Sequence, residues 1–318
     1  MRFKKEKVRI DAIDLNDNFY LITTKKCTGA LVDSIKAIGL LHPPLLIQRK
    51  STYRIVSGFR RVFALKVLGF SESEARIIKD PNNEREIIKI AVSENSLQRS
   101  LNIVEKARSL KLLSNSISDM NELTDTAKSV GVPCDNDLLT KLLKISELTD
   151  SIQEGLIEGF ISMPVALMLD KYNHHTSNLF VEVFKRLHLG LNRQREFISL
   201  ITEIAFRDDI EPVQIMKQIY FTEVLNNENL DRNQKIQELR KRLKRLRFPE
   251  ISKAEATFRQ NVKNLNIAKG IKLIPSNHFE GSEYMFQLTF DSLKEMESLK
   301  SRLDRIVKDP IFERILNR

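Results

Sequence analysis

Two short segments hold the residue types with the clearest chemistry. The first is Ser57–Arg61, which reads SGFRR. A glycine sits where a strand should give way to a helix, and two arginines fall in the first helical turn. Glycine lets a backbone approach a ligand closely. A helix N-terminus offers unpaired N–H groups and a partial positive charge. Cations in that turn oppose the dipole and cost roughly a few tenths of a kcal/mol each. Bound polyphosphate would reverse that sign, and the guanidinium fork matches phosphate oxygens. Two solvated arginines are the simpler reading of so short a motif. The second segment is Ser93–Arg99, SENSLQR. Glu94 and Asn95 are oxygen donors of the kind magnesium accepts beside a nucleotide; alone, they also describe an ordinary polar helix end.

The elements needed to position these segments can be read around them. Val8–Leu15 is β-branched and loosely alternating, which predicts a strand. Leu31, Ile35 and Ile38 share a helical face that ends at Gly39. Pro43–Arg49 and Ser51–Gly58 predict two strands joined by a short turn. Arg60–Gly69 is a helix, Ala75–Asp80 a strand, and Asn82–Gln98 a helix.

The rest of the 318-residue chain is read as helical through residue 225. Leu123, Ala127 and Val130 mark one helix, Gly131 a turn, and Leu138, Leu139, Leu142 and Leu143 the next, the spacing of a helix-turn-helix. Further on, Arg240–Arg247 (RKRLKRLR) places six cations in eight residues. That run either tracks a phosphate backbone or is the solvated side of a packed helix, since Ile236, Leu239, Leu243 and Leu246 form an apolar stripe. Pro249 is expected to stop this helix. Lys269–Pro275 and Tyr284–Phe290 predict a hairpin joined through residues 276–282, followed by a helix carrying Met296, Leu299, Leu303 and Ile306. Two strands cannot bury their own face. A second copy of the chain is therefore expected to cover them; the alternative is a helix of the same chain.

Composition narrows the function classes. Apolar residues make up 42% and charged residues 30%, with 10 glycines, 9 prolines and no tryptophan. That is a globular, helix-dominated balance. The net charge is +10, divided as +8 over residues 1–100, −3 over 101–190 and +5 over 191–318. A basic balance favours polyanionic partners. No apolar run is long enough for a membrane span. MRFKKEKVRI lacks the apolar core of a secretion signal, so a cytoplasmic location is expected. Cys27 and Cys134 form no CxxC pair. The five histidines, His42, His174, His175, His188 and His278, make no zinc motif, and His174–His175 is read as a loop.

In this order, the segments resemble the ParB family of chromosome- and plasmid-partition proteins over about residues 8–170. LVDSIKAIGLLHPPLLIQRKSTYRIVSGFRRVFALKVLG is similar to the family's N-terminal domain with its Gly-Glu-Arg-Arg box. ENSLQRSLNIVEKARSLKLL resembles its Glu-Asn-x-x-Arg helix and the helix after it. TDTAKSVGV and LLTKLLKISELTDSIQEGLIEGFIS look like its helix-turn-helix and the Leu-x-x-Gly-x-Ile-Ser helix that follows. The fold class implied is α+β and predominantly helical. A ParB/sulfiredoxin-like α/β nucleotide-binding domain is expected over 1–100 and an all-helical helix-turn-helix domain over 101–250. A small hairpin-plus-helix domain, likened to the family's dimerisation domain by pattern only, is expected over 251–318.

The resemblance implies a CTP-and-magnesium-switched clamp that closes on DNA as a homodimer, with weak CTP hydrolysis resetting it and a partition ATPase as a further partner. Gly58, Arg60 and Arg61 would hold the triphosphate. Glu94 would be the catalytic and metal-side carboxylate, and Asn95 would lie at the metal and phosphates. Arg99 would add to the cofactor contacts, and Gly39–Pro44 would lie near the base. DNA contacts would come from Asn136, Thr140, Lys141 and Lys144 on the reading helix. Arg240, Lys241, Arg242, Lys244 and Arg245 would add others.

Several residues depart from the family pattern. Phe59 replaces the glutamate of the box. Gln98 stands where the second motif has arginine, and Arg99 lies about 100° further round the helix. Leu21 occupies a region that often holds an arginine. Asp135 and Asp137 open the reading helix, where they suit the helix dipole but face DNA phosphates badly. This motivates a rival reading: a ParB-fold adaptor that has lost specific DNA reading and works through protein contacts. Sulfiredoxin-type redox chemistry is not expected, because Ser57 and Phe59 stand where a cysteine would be needed.

Overall fold

The computed structural model describes residues 3–25, 29–79, 83–276 and 281–317; Cys27 and His278 lie outside them. The chain forms two compact units, Met1–Leu191 and Asn192–Arg318. Its fold is α+β and predominantly helical.

The first unit opens with an α/β layer: β1 (Phe3–Arg9), β2 (Ile13–Asp14), α1 (Gly29–Ile38), β3 (Leu45–Arg49), β4 (Thr52–Ser57), α2 (Phe59–Val67), β5 (Glu72–Ile78) and α3 (Glu84–Ser96). The sheet order is β1-β5-β3-β4-β2. β5 is antiparallel to β1 and parallel to β3, while β4 is antiparallel to β3 and parallel to β2. Leu45, Leu46 and Ile47 are all buried, the mark of a central strand covered on both faces. The strand expected over Val8–Leu15 is broken instead. A 3₁₀ turn at Ile10–Ala12 separates β1 from β2, which takes the opposite edge of the sheet.

The helical part of this unit comprises α4 (Ile103–Ser114), α5 (Met120–Ser129), α6 (Asn136–Glu147), α7 (Asp150–Glu158), α8 (Met163–Leu169) and α9 (His174–Leu187). Side-chain caps define several starts: Asn102 and Glu105 form a reciprocal capping box on α4, and Asp119 and Asp135 cap α5 and α6. His174 and His175, read as a loop, instead form the first turn of α9. Asn173 accepts from Thr176 N at 2.9 Å and starts the helix there.

The second unit contains α10 (Leu191–Asp208), α11 (Pro212–Gln218), α12 (Phe221–Asn226), α13 (Arg232–Arg247), α14 (Pro249–Asn264), β6 (Ile271–Pro275), β7 (Tyr284–Leu288), α15 (Leu293–Val307) and α16 (Pro310–Leu316). Pro249 ends α13 but also begins α14, since proline's missing N–H costs nothing in a first helical turn. β6 and β7 pair antiparallel. Their inner face is covered by helices of the same chain. Ile271 and Leu273 share a core with Leu299, Ile306, Phe312 and Ile315, and Tyr284, Phe286 and Phe258 pack against it. The Phe286 and Phe312 rings lie 5.4 Å apart, and Tyr284 Oη donates to the Ile315 carbonyl at 3.0 Å. The burial argument for a second copy over the hairpin therefore does not hold. Replacing Phe312 with alanine removes a large part of this intrachain core and should destabilise the second unit by about 3–5 kcal/mol, read as a lower denaturant midpoint for that unit.

Candidate functional site

The Ser57–Arg61 segment is built by the junction of β4 and α2. Gly58 is the residue before the helix, with φ +98°, a left-handed conformation that L side chains rarely adopt. A Cβ there would also lie 3.0 Å from Pro44 Cβ and 3.1 Å from Pro44 Cα. The left-handed backbone and the close approach of the Pro44 backbone both call for glycine here. Phe59 is buried in the sheet–helix core, so the family's box glutamate is replaced here by a packing residue. Arg60 and Arg61 follow in the first turn of α2, which contains no acidic residue.

These residues line one cavity of about 800 Å³, within the usual range of roughly 300–1,000 Å³ for small-molecule sites. Glu94 and Asn95 come to its wall from the last turns of α3, and Leu41, His42 and Pro43 from the loop after α1. The structure therefore gathers Gly58, Arg60, Arg61, Glu94, Asn95 and Arg99 around a single hollow. Gln98 lines it as well.

The arginines are not equivalent. Arg61 Nη1 donates to the His42 carbonyl at 2.6 Å and the Pro43 carbonyl at 3.4 Å, fastening the loop to α2. Burial pulls its pKa below the guanidinium's ordinary value, Glu94 opposing and nearby Arg76 adding to the effect. Glu94 accepts from Arg76 Nη2 at 3.1 Å. Asn95 donates to the Ala91 carbonyl at 2.8 Å; its amide oxygen is not part of that bond. Glu94 and Asn95 together make a one-carboxylate oxygen set. That suits a magnesium ion whose remaining ligands are phosphates and water, and no cluster of three metal-ligating acids, histidines or cysteines occurs among the described residues.

Arg99 also lines the cavity, but its fork is committed elsewhere. Nη1 and Nη2 bind Glu105 at 2.6 and 2.7 Å, and Nη2 reaches Thr23 Oγ1 at 3.3 Å. Glu105 is fully buried and further accepts from the backbone N–H groups of Thr24 at 3.0 Å and Asn102 at 3.1 Å. Burial alone would raise its carboxyl; the bonds from Arg99, Thr24 and Asn102 together outweigh burial and hold it at about 2. Nothing in the spacing of Arg99 and Glu105 announces this pair, because the two residues flank a helix cap.

The helix-turn-helix is α5–α6. Gly131, at φ +81°, makes its turn against the end of α3: a Cβ there would meet Leu97 Cδ2 at 2.7 Å. Ser96 Oγ donates to the Val130 carbonyl. One helix therefore carries Glu94 and Asn95 to the cavity and, a residue or two later, supports this turn. On α6, Asn136, Thr140 and Lys144 are exposed. Lys141 is paired with Asp137, and Asp135 is consumed as the cap. Asn136 Oδ1 accepts from Thr124 Oγ1 at 2.8 Å.

In the second unit, Leu239 and Leu243 are the buried stripe of α13. Arg240 grips Glu196 with contacts of 2.7–3.0 Å, and Arg242 binds Glu238 at 2.9 Å and the Ile219 carbonyl at 3.1 Å. Lys241, Lys244 and Arg245 are exposed on the other side, with no ion pair among the described residues. No described helix is long and apolar enough to cross a membrane.

The first unit thus joins an α/β layer with a cation-lined hollow at a helix mouth to a helix-turn-helix. Residues 7–96 match the family model of the ParB N-terminal domain. A probable chromosome-partitioning protein ParB of Campylobacter jejuni is 26% identical over 231 residues, 68% of this chain and 80% of that protein. A nucleoid occlusion protein of Halalkalibacterium halodurans is 25% identical over 55% of this chain and 60% of its own length. The chromosome-partitioning ParB of Myxococcus xanthus is 32% identical over 42% of this chain and 43% of its own. Among solved structures, a C-terminally truncated Caulobacter crescentus ParB complexed to the centromeric parS site is 18% identical. It covers 61% of this chain and 98% of its own, with a TM-score of 0.33. The chain is thus similar to ParB proteins, and its residues 7–96 match the ParB N-terminal domain.

The Glu105 network makes a pH-dependent contribution to stability. The unfolded carboxyl has the ordinary value of 4.5 and the folded one about 2, so the stabilisation is complete above about pH 4.5 and fades as pH falls towards 2. It amounts to about 3 kcal/mol. Chemical denaturation across that window should show the slope in the native chain. Glu105→Gln should be less stable at pH 7 and lose most of the slope.

Proposed function

We propose that this chain is a nucleotide-switched, DNA-binding partition protein that takes CTP with magnesium in the α2–α3 cavity. The observation that carries this reading is the convergence of Gly58, Arg60, Arg61, Glu94 and Asn95 on one hollow at a helix N-terminus. The free N–H groups and guanidinium groups there are suited to phosphate oxygens. The 41–43 loop, held by Arg61, is the wall available to a base. Magnesium, when bound by Glu94 and Asn95, would screen phosphate charge. Weak hydrolysis with Glu94 as the carboxylate involved, resetting a dimeric clamp, belongs to this proposal. So do a nucleoid location and a partition ATPase as partner.

DNA would be approached by the exposed face of α6 and, separately, by Lys241, Lys244 and Arg245 of α13. Arg240 and Arg242 are engaged by acids and are assigned to holding α13 in place. A second reading has specific support: Asp137 neutralises Lys141, and Asp135 adds another negative charge at the start of α6. A ParB-fold adaptor without sequence-specific DNA reading would look like this. Self-association is proposed through exposed Met285, Leu293 and Met296 of the second unit, and light scattering should give twice the chain mass.

Titration with CTP, ATP, GTP and UTP in the presence of magnesium tests the nucleotide reading. Saturable binding of CTP, abolished by Arg60→Ala in a variant that melts normally, is expected; a folded chain that binds none of the four is not a nucleotide switch. Gel shifts over a salt series separate the two DNA readings. Replacing Lys241, Lys244 and Arg245 with glutamine should flatten the log–log salt slope by about 2–3. A strong preference for one DNA sequence would set the adaptor reading aside.

A further inference from the structure

The cavity has a second cationic wall that neither motif announces. Lys5 on β1 and Arg76 on β5 are direct cross-strand partners, so their side chains leave the same face of the sheet. Both line the cavity. Like charges directly opposite each other on a sheet are destabilising. Arg76 is partly compensated by Glu94 at 3.1 Å and lies with its guanidinium carbon 5.9 Å from the Phe3 ring centroid. Lys5 is exposed on an edge strand and has no ion pair among the described residues. Two cations against one carboxylate leave a surplus positive charge on this wall, apart from the arginines that α2 supplies.

We propose that Lys5 and Arg76 form a second anion subsite, which holds the far end of a polyphosphate chain whose near end sits at the mouth of α2. The inference rests on the nucleotide reading and deepens it: the cavity selects ligands by the number of phosphates, favouring a triphosphate over a monophosphate. A monophosphate can satisfy one cationic wall only. A triphosphate reaches both and relieves the Lys5–Arg76 repulsion.

The test compares nucleotides on the intact 318-residue chain. Equilibrium dialysis or calorimetry is run with the tightest-binding of CTP, ATP, GTP and UTP, and the matching monophosphate is measured by competition. Lys5→Gln, on an exposed edge-strand position, should melt as the native chain does. It should weaken the triphosphate about tenfold, the scale of one charge-assisted hydrogen bond, and change the monophosphate by less than about twofold. Lys5→Arg should restore triphosphate binding. Equal weakening of both ligands would make Lys5 a general field effect and overturn the subsite, as would unchanged triphosphate binding in Lys5→Gln. A native chain that binds no nucleotide fails at the earlier reading, and Lys5 is then not at issue.

Discussion

The first unit depends on keeping positive charge together where the chain gains little internal stability from it. α2 begins with two arginines and no acid, against its own dipole, while Arg76 stands beside Lys5 on the neighbouring strands. The fold tolerates this by partial measures. Arg61 spends one nitrogen on two backbone carbonyls, Glu94 answers Arg76, and Glu105 takes Arg99 completely. Lys5, Arg60, Arg61 and Arg76 all line one hollow of about 800 Å³. A charge distribution of this kind lowers its energy when an anion enters.

The fold also links the hollow to the helix-turn-helix of the same unit. α3 ends within two residues of the carboxylate–amide pair, and its last side chains pack against the turn between α5 and α6. The Arg99–Glu105 pair lies at the following junction and ties the 23–24 segment to the start of α4. Leu97, just past the end of α3, packs against Gly131, and Thr23 and Thr24 share Glu105. The link consists of packed side chains and hydrogen bonds within one compact unit.

Much of this was legible in the sequence. The β4–α2 junction followed from a glycine between an alternating run and a helical one, and the helix-turn-helix from leucine spacing around Gly131. The hidden parts depend on three-dimensional register. Lys5 and Arg76 are 71 positions apart in the chain and meet only because β1 and β5 pair at that register. Arg99 and Glu105 meet across a helix cap, where neither helical nor strand periodicity applies. α14 was not anticipated because it has no fully buried residue, so its apolar pattern was faint, and Pro249 was read only as an ending. The hairpin was recognised, but not the short α16, whose Phe312 and Ile315 complete the cover over it.

The central claim is that the mouth of α2 is an anion cradle, and residue-resolved amide shifts measure it most directly. In a ¹H–¹⁵N spectrum of the chain titrated with magnesium and CTP, the account predicts saturable shifts at Phe59, Arg60 and Arg61, matched by shifts at Glu94 and Asn95. Amides of α2 that stay fixed while the nucleotide binds elsewhere would contradict it.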